Sequence, residues 1–253
     1  MNIAVPIKLV PDLVEELEIN DDGTDLEREF LSYRINEFDD HALEEALQLK
    51  EALGGTVAVL ALERDETDKI LFTALAKGAD RAVKITGVEE AASSRAVAAA
   101  MCQALEKVEY DLVLTGVQAA DDRDGQLGIL LAGALGIPHV SVVSDISFDG
   151  GKLTIHQEYS GGLMARLEVA PKVVLGVQAA RQTPRYAPVS RVRQIMKEAE
   201  LEEFEADTSG VGAGSTVRRM FTPERGEGAK MIEGSTEEVA EKIAELLKDK
   251  RKS

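Results

Sequence analysis

The sequence predicts a doubly wound α/β domain on a mainly parallel sheet, carrying an appended β-meander and a C-terminal arm. Three observations lead there. Strand-length apolar runs alternate with helix-length amphipathic runs up to Pro138. Glycine closes most of the helical runs, at Gly54, Gly78 and Gly136. From about residue 140 the pattern changes to alternating runs broken by Asp-Gly-Gly and Ser-Gly-Gly turns.

Taken in order, residues 3–10 open as a strand. Residues 39–53 follow as a helix, with Ala42, Leu43, Ala46, Leu47 and Leu49 close to helical spacing and a stop at Gly54-Gly55. Strand 56–62, helix 67–77, strand 82–85, helix 94–108, strand 111–115 and helix 125–135 complete the alternation. Runs 140–145, 153–158 and 166–169 form the meander, and 171–178 returns as a buried strand. The division expected is a main domain over 1–205, a linker over 206–234 containing the GVGAG run, and an arm over 235–253. Ser235-Thr-Glu-Glu caps the arm's helix, because a hydroxyl can accept a backbone N–H and an acid suits the helix dipole.

Composition removes several function classes. The formal charge of −17 opposes nucleic-acid binding, which depends on Lys and Arg neutralising phosphates. No apolar stretch reaches the roughly 20 residues that an integral membrane helix needs. Cys102 is the only cysteine, which excludes an intrachain disulfide and a cysteine metal cluster. His41, His139 and His156 lack metal-ligand spacing, so no metal site is expected, and no Ser/His/Asp grouping points to a catalytic residue. Met1 runs directly into a strand-like segment without a basic leader, so a cytoplasmic protein is expected.

The chemistry-bearing segment is 116–128, GVQAADDRDGQLG. It leaves the C-terminal end of a strand and enters a helix, where exposed N–H groups and the helix dipole favour an anion. Gly125 and Gly128 would admit a phosphate close to the backbone. Composition alone favours a polar loop with capping aspartates. Asp121, Asp122 and Asp124 would repel a phosphate facing them, which leaves the amides near Gln126, Leu127 and Gly128 as its only place. A second segment, 35–39 (INEFD), precedes the first long helix, and Asn36 or Asp39 there could equally be ordinary caps. On the predicted sheet both segments share one edge and outline a mononucleotide pocket.

The ordered pieces VPIK (5–8), INEFDDHALEE (35–45), TALAKGADR (73–81), DLVLTGVQAADDRDGQLG (111–128), GGL (161–163), PKVV (171–174), TPRY (183–186) and PERGEG (223–228) resemble electron-transfer flavoprotein beta subunits. The resemblance covers almost the whole chain. It implies a Rossmann-like, adenine-nucleotide-binding fold that works as a heterodimer with an alpha subunit. FAD is then held mainly by the alpha subunit, and the beta subunit holds AMP or, in electron-bifurcating members, a second FAD.

By position, the resemblance places the nucleotide on Pro6, Asn36, Glu37, Phe38, Asp39, Leu62, Gly116, Gln118, Asp122, Asp124, Gly125, Gln126 and Leu127. A loop over about 184–194, with Arg185, Val189, Arg191 and Arg193, is implied to meet a redox partner dehydrogenase. The turn QEYSGGLM (157–164) departs from the family's acidic pattern. So does IMKEAELEE (195–203), which stands where the mitochondrial type has a lysine cluster, and the expected redox partner is therefore not an acyl-CoA dehydrogenase of that type. Other readings of the residues are a regulatory adenine-nucleotide-binding protein like the universal stress proteins, and an ATP-pyrophosphatase-like ligase.

Overall fold

Strands that are apolar on both faces have to be covered on both faces, and this requirement organises the chain. The computed structural model describes residues 1–29, 31–89, 92–122, 125–212, 214–224, 226, 228–229 and 231–250, the side chains of 249 and 250 excepted. Five short apolar strands form the sheet's centre and one flank: β1 (Ile3–Pro6), β4 (Val57–Leu62), β5 (Arg81–Thr86), β6 (Leu112–Gly116) and β10 (Val173–Val177). β7 (His139–Asp149), β8 (Lys152–Tyr159) and β9 (Leu163–Val169) are the meander. β11 (Glu202–Glu205) closes the other edge, and β2 (Leu9–Pro11) with β3 (Tyr33–Ile35) makes a separate antiparallel ribbon.

The main sheet runs β11-β5-β4-β1-β6-β10-β7-β8-β9, parallel as far as β7 and antiparallel across the meander. Its register sets the two cores. Val57, Ile3, Leu112 and Val173 lie in one row and face one core; Ala58, Ala4, Val113 and Val174 lie in the next row and face the other. Helices α1 (Glu37–Leu53) and α2 (Thr67–Lys77) cover the first face through Leu43, Leu47, Ile70 and Leu71. Helices α3 (Ser94–Leu105) and α4 (Leu127–Leu135) cover the second through Met101, Leu105 and Leu131.

Handedness explains this division. The chain steps from β1 to β4 to β5 in one direction, then crosses back to β6 and onward. Right-handed crossovers put helices of opposite steps on opposite faces. The reversal falls between β1 and β6, and a crevice opens there at the strands' C-terminal ends.

The doubly wound reading holds, with local corrections. The strand expected over 3–10 stops at Pro6. The Ile7 N–H still reaches the Leu60 carbonyl at 2.9 Å, but the Lys8 N–H turns away to the Asp39 carboxylate at 3.0 Å. The segment expected as a loop over 184–194 is non-helical only through Pro188; α5 (Val189–Glu198) follows and packs on α2. The edge strand β11 was not foreseen in its four-residue run EEFE, because only Phe204 among them is apolar. The arm's helix, α6 (Thr236–Lys250), begins with a reciprocal capping box: Ser235 N–H donates to Glu238 Oε2 at 2.8 Å, and Glu238 N–H donates to Ser235 Oγ at 3.3 Å.

Candidate functional site

Strand order, rather than any single motif, brings the candidate residues together. β4, β1 and β6 are neighbours, so their last residues Leu62, Pro6 and Gly116 gather at one edge of the sheet. A cleft of about 960 Å³ opens there and all three line it, near the upper end of the range for small-molecule sites.

Two polar residues before and within α1 fix the cleft's floor. Asn36 takes the N-cap position of α1 but makes no side-chain cap; its Nδ2 donates to the Gln118 carbonyl at 2.8 Å. Asp39 is buried and accepts from the Lys8 N–H (3.0 Å) and the Gly116 N–H (3.1 Å). The capping role expected for either residue is therefore replaced by tertiary tethering. Burial pushes the Asp39 carboxyl up to about 7, against the opposing effect of these donors and the Lys8 ammonium.

Gly116 is required by close approach. A Cβ there would lie 2.5 Å from Asp39 Oδ1 and 2.7 Å from Phe38 Cβ. Gly125, at φ +57°, takes a left-handed conformation that other residues seldom adopt. Gln126, at the N-cap of α4, makes no side-chain cap of its own, and Leu127 in the first turn borders the cleft. The repulsion expected from Asp121 is moderated by Lys8, whose Nζ pairs with it at 2.7 Å.

Of the residues expected to hold a ligand, Pro6, Asp39, Leu62, Gly116, Gln118, Asp122, Gly125 and Leu127 line the cleft. Asn36 and Phe38 support its floor instead, Glu37 and Gln126 face solvent, and Asp124 lies outside the described residues. Gly128 faces the interior: a Cβ would sit 3.0 Å from both Thr115 Oγ1 and His139 Nε2. Its glycine serves packing and not ligand approach. Burial lowers the His139 pKa from its ordinary value. His41 Nδ1 accepts the Ala180 N–H and His156 pairs with Asp145, which gives each a structural partner.

A family model described as the electron transfer flavoprotein domain matches residues 26–209. The chain belongs to this family. It is similar to "Electron transfer flavoprotein subunit beta" of Methylophilus methylotrophus, with 35% identity over 98% of each chain. The protein of the same description from Thermoanaerobacterium thermosaccharolyticum is 32% identical, also over 98% of each chain. The one from Homo sapiens is 30% identical over 97% of this chain and 98% of its own.

In this member of the family, a second polar constellation lies on the outer side of α1. Glu44 and Glu45 are 3% and 1% exposed. Arg185 forks onto Glu44 through Nε and Nη2 at 2.8 and 2.9 Å, and its Nη1 reaches Glu51 at 2.6 Å. Arg181 holds Glu45 at 3.0 Å. Burial alone would raise the Glu44 carboxyl, yet the hydrogen bonds from Arg185 bring it below its ordinary value; for Glu45 burial prevails and its carboxyl is raised. Arg185, expected to meet a partner, is thus committed to fastening the 180–188 loop. Val189 beyond it is 56% exposed and Tyr186 is 79% exposed, while Arg191 and Arg193 point to solvent from α5. Sequence reasoning missed Glu44, Glu45 and Arg181. The only signal was the pair of adjacent acids Glu44-Glu45 within the apolar run of the helix.

Among the described residues no group of His, Cys, Asp and Glu could hold a metal, and no helix is long and apolar enough to cross a membrane.

Proposed function

We propose that the chain is the beta subunit of a heterodimeric electron-transfer flavoprotein, passing electrons between a dehydrogenase and a downstream acceptor through FAD held mainly by the alpha subunit, and that it holds AMP in the cleft. The observation carrying this reading is the cleft at the sheet's reversal, floored by tethered loops and bordered by the N-terminus of α4. Its donors fit a nucleotide: the amides of α4's first turn and Gly125 would meet the phosphate, while Pro6 and Leu62 offer apolar walls to a base. FAD supplies the one- and two-electron redox chemistry; this chain contributes a fixed, partly apolar surround and the nucleotide site.

The arm supports the heterodimer. Ile243, Leu246 and Leu247 on α6 are 45%, 59% and 61% exposed, an apolar stripe that a partner surface would cover. Coverage would stabilise the complex by about 1.5–3 kcal/mol per side chain as an upper figure. On this reading the exposed end of the 184–188 loop and α5 meet the redox partner.

Co-expression with the alpha subunit gene tests the proposal. A stable yellow complex with one FAD and one AMP after acid extraction is the expected result. A chain that stays alone and colourless in the presence of that subunit removes the reading. The cleft's size also favours a second reading, in which a dinucleotide such as a second FAD occupies it; two FAD per heterodimer would establish that one.

A further inference from the structure

Within the stretch expected as a linker over 206–234, Asp207 and residues 214–220 make specific contacts with the main domain. Its start is clamped on α3: Gln103 Nε2 donates to the Asp207 carbonyl at 2.7 Å and Gln103 Oε1 accepts the Asp207 N–H at 3.0 Å. Farther along, Gly214 lies so close to Ser93, the N-cap of α3, that a Cβ would stand 2.4 Å from Ser93 Cβ. Val217 and Met220 then line the cleft, and the Met220 N–H donates to the Gly23 carbonyl at 2.7 Å on the opposite side. Gly23 belongs to the loop between β2 and β3, whose Leu13, Leu17 and Leu26 face the same cavity.

We propose that residues 214–220 are a strap that forms part of the nucleotide site, with Val217 and Met220 closing the cleft over its ligand. The inference rests on the reading of the cleft as a nucleotide site. The strap spans from α3 to the β2–β3 loop, so a ligand beneath it leaves only when the strap lifts. Among the described residues, no helix or strand stiffens the span. Lifting is therefore a local event, separate from unfolding of the sheet.

Release of AMP from the full chain, co-purified with its alpha partner, tests this by stopped-flow chase with unlabelled AMP. Val217→Ser with Met220→Ser removes the apolar cover. Gly214→Val lifts the strap at its hinge and changes no cleft-lining side chain. Both are expected to speed AMP release at least tenfold, with Val217→Ile behaving as the parent. Release rates within twofold of the parent in both variants would overturn the strap. A parent complex that binds no AMP and no FAD in this subunit defeats the nucleotide reading itself, which separates the two failures. Amide exchange covers poor folding of a variant: in the parent, slower exchange at Met220 with AMP present supports the strap, and unchanged exchange opposes it.

Discussion

Asp39 Oδ1 accepts the Gly116 backbone N–H at 3.1 Å, joining the first turn of α1 to the end of β6 across 77 positions of sequence. The same carboxylate accepts the Lys8 N–H through its other oxygen, so one buried acid ties the ends of two strands and a helix together. The shape of the cleft's floor follows from this three-way tie, because Gly116, Asp39 and Lys8 all border the cavity.

The tie has a pH signature. Asp39 titrates near 3.8 when solvated and is pushed up to about 7 by burial. Between these values the folded chain binds more protons than the unfolded one, so this group's contribution to stability is full below the lower value and is lost as pH rises to the upper one. Urea unfolding across that window should show stability falling with pH in the parent and a flatter profile in Asp39→Asn. The variant should also be less stable at low pH by about 1–3 kcal/mol, since an amide N–H₂ cannot accept from both backbone donors. A slope unchanged by the substitution would remove Asp39 as its source.

Three glycines of one segment should fail differently. Gly116→Ala meets Asp39 and Phe38 at sub-contact distance and should cost about 1–3 kcal/mol by overpacking. Gly128→Val is directed at Thr115 and His139 and should lower Tm in the same way. Gly125→Val instead strains a left-handed residue on the cleft wall, so AMP affinity should fall more than stability does. Calorimetric titration beside thermal melts separates these outcomes; equal loss of affinity in Gly125→Val and Gly128→Val at matched Tm would contradict the assignment.

Arginine variants should divide into two classes. Arg185→Ala leaves the buried Glu44 carboxylate without its forked partner and should destabilise the fold by about 2 kcal/mol. Arg191→Glu with Arg193→Glu alters exposed positions on α5 and should change stability by no more than about 0.5 kcal/mol. The same pair should slow electron transfer to the physiological acceptor without altering flavin content. Unfolding curves and stopped-flow flavin oxidation give both readouts.

Removing residues 235–253 deletes the arm and leaves both cores intact, since neither includes a residue beyond Ala206. The shortened chain should melt within a few degrees of the parent and bind the alpha subunit at least tenfold more weakly. Unchanged affinity by titration would show that α6 is not an interface element.

The alternation of strands and helices, the meander and the capped arm were all legible in the sequence, and helix 67–77 was placed to the residue. Each rests on local regularity: apolar spacing, a closing glycine, a hydroxyl three residues before an acid. The two loops that make the cleft could be nominated for the same reason, because glycines and acids after a strand are visible one segment at a time. What Asn36 and Asp39 do was decided only by the tertiary structure. Their cap-like residue types suggested local partners, but sheet order sets Gln118 and Gly116 beside them; Asn36 donates to the Gln118 carbonyl and Asp39 accepts from the Gly116 N–H. The same holds for the inward turn of Gly128, the commitment of Arg185 to Glu44, and the course of residues 214–220 over the cleft. Periodicity reports which way a residue faces relative to its own element; only the packed sheet determines what stands opposite.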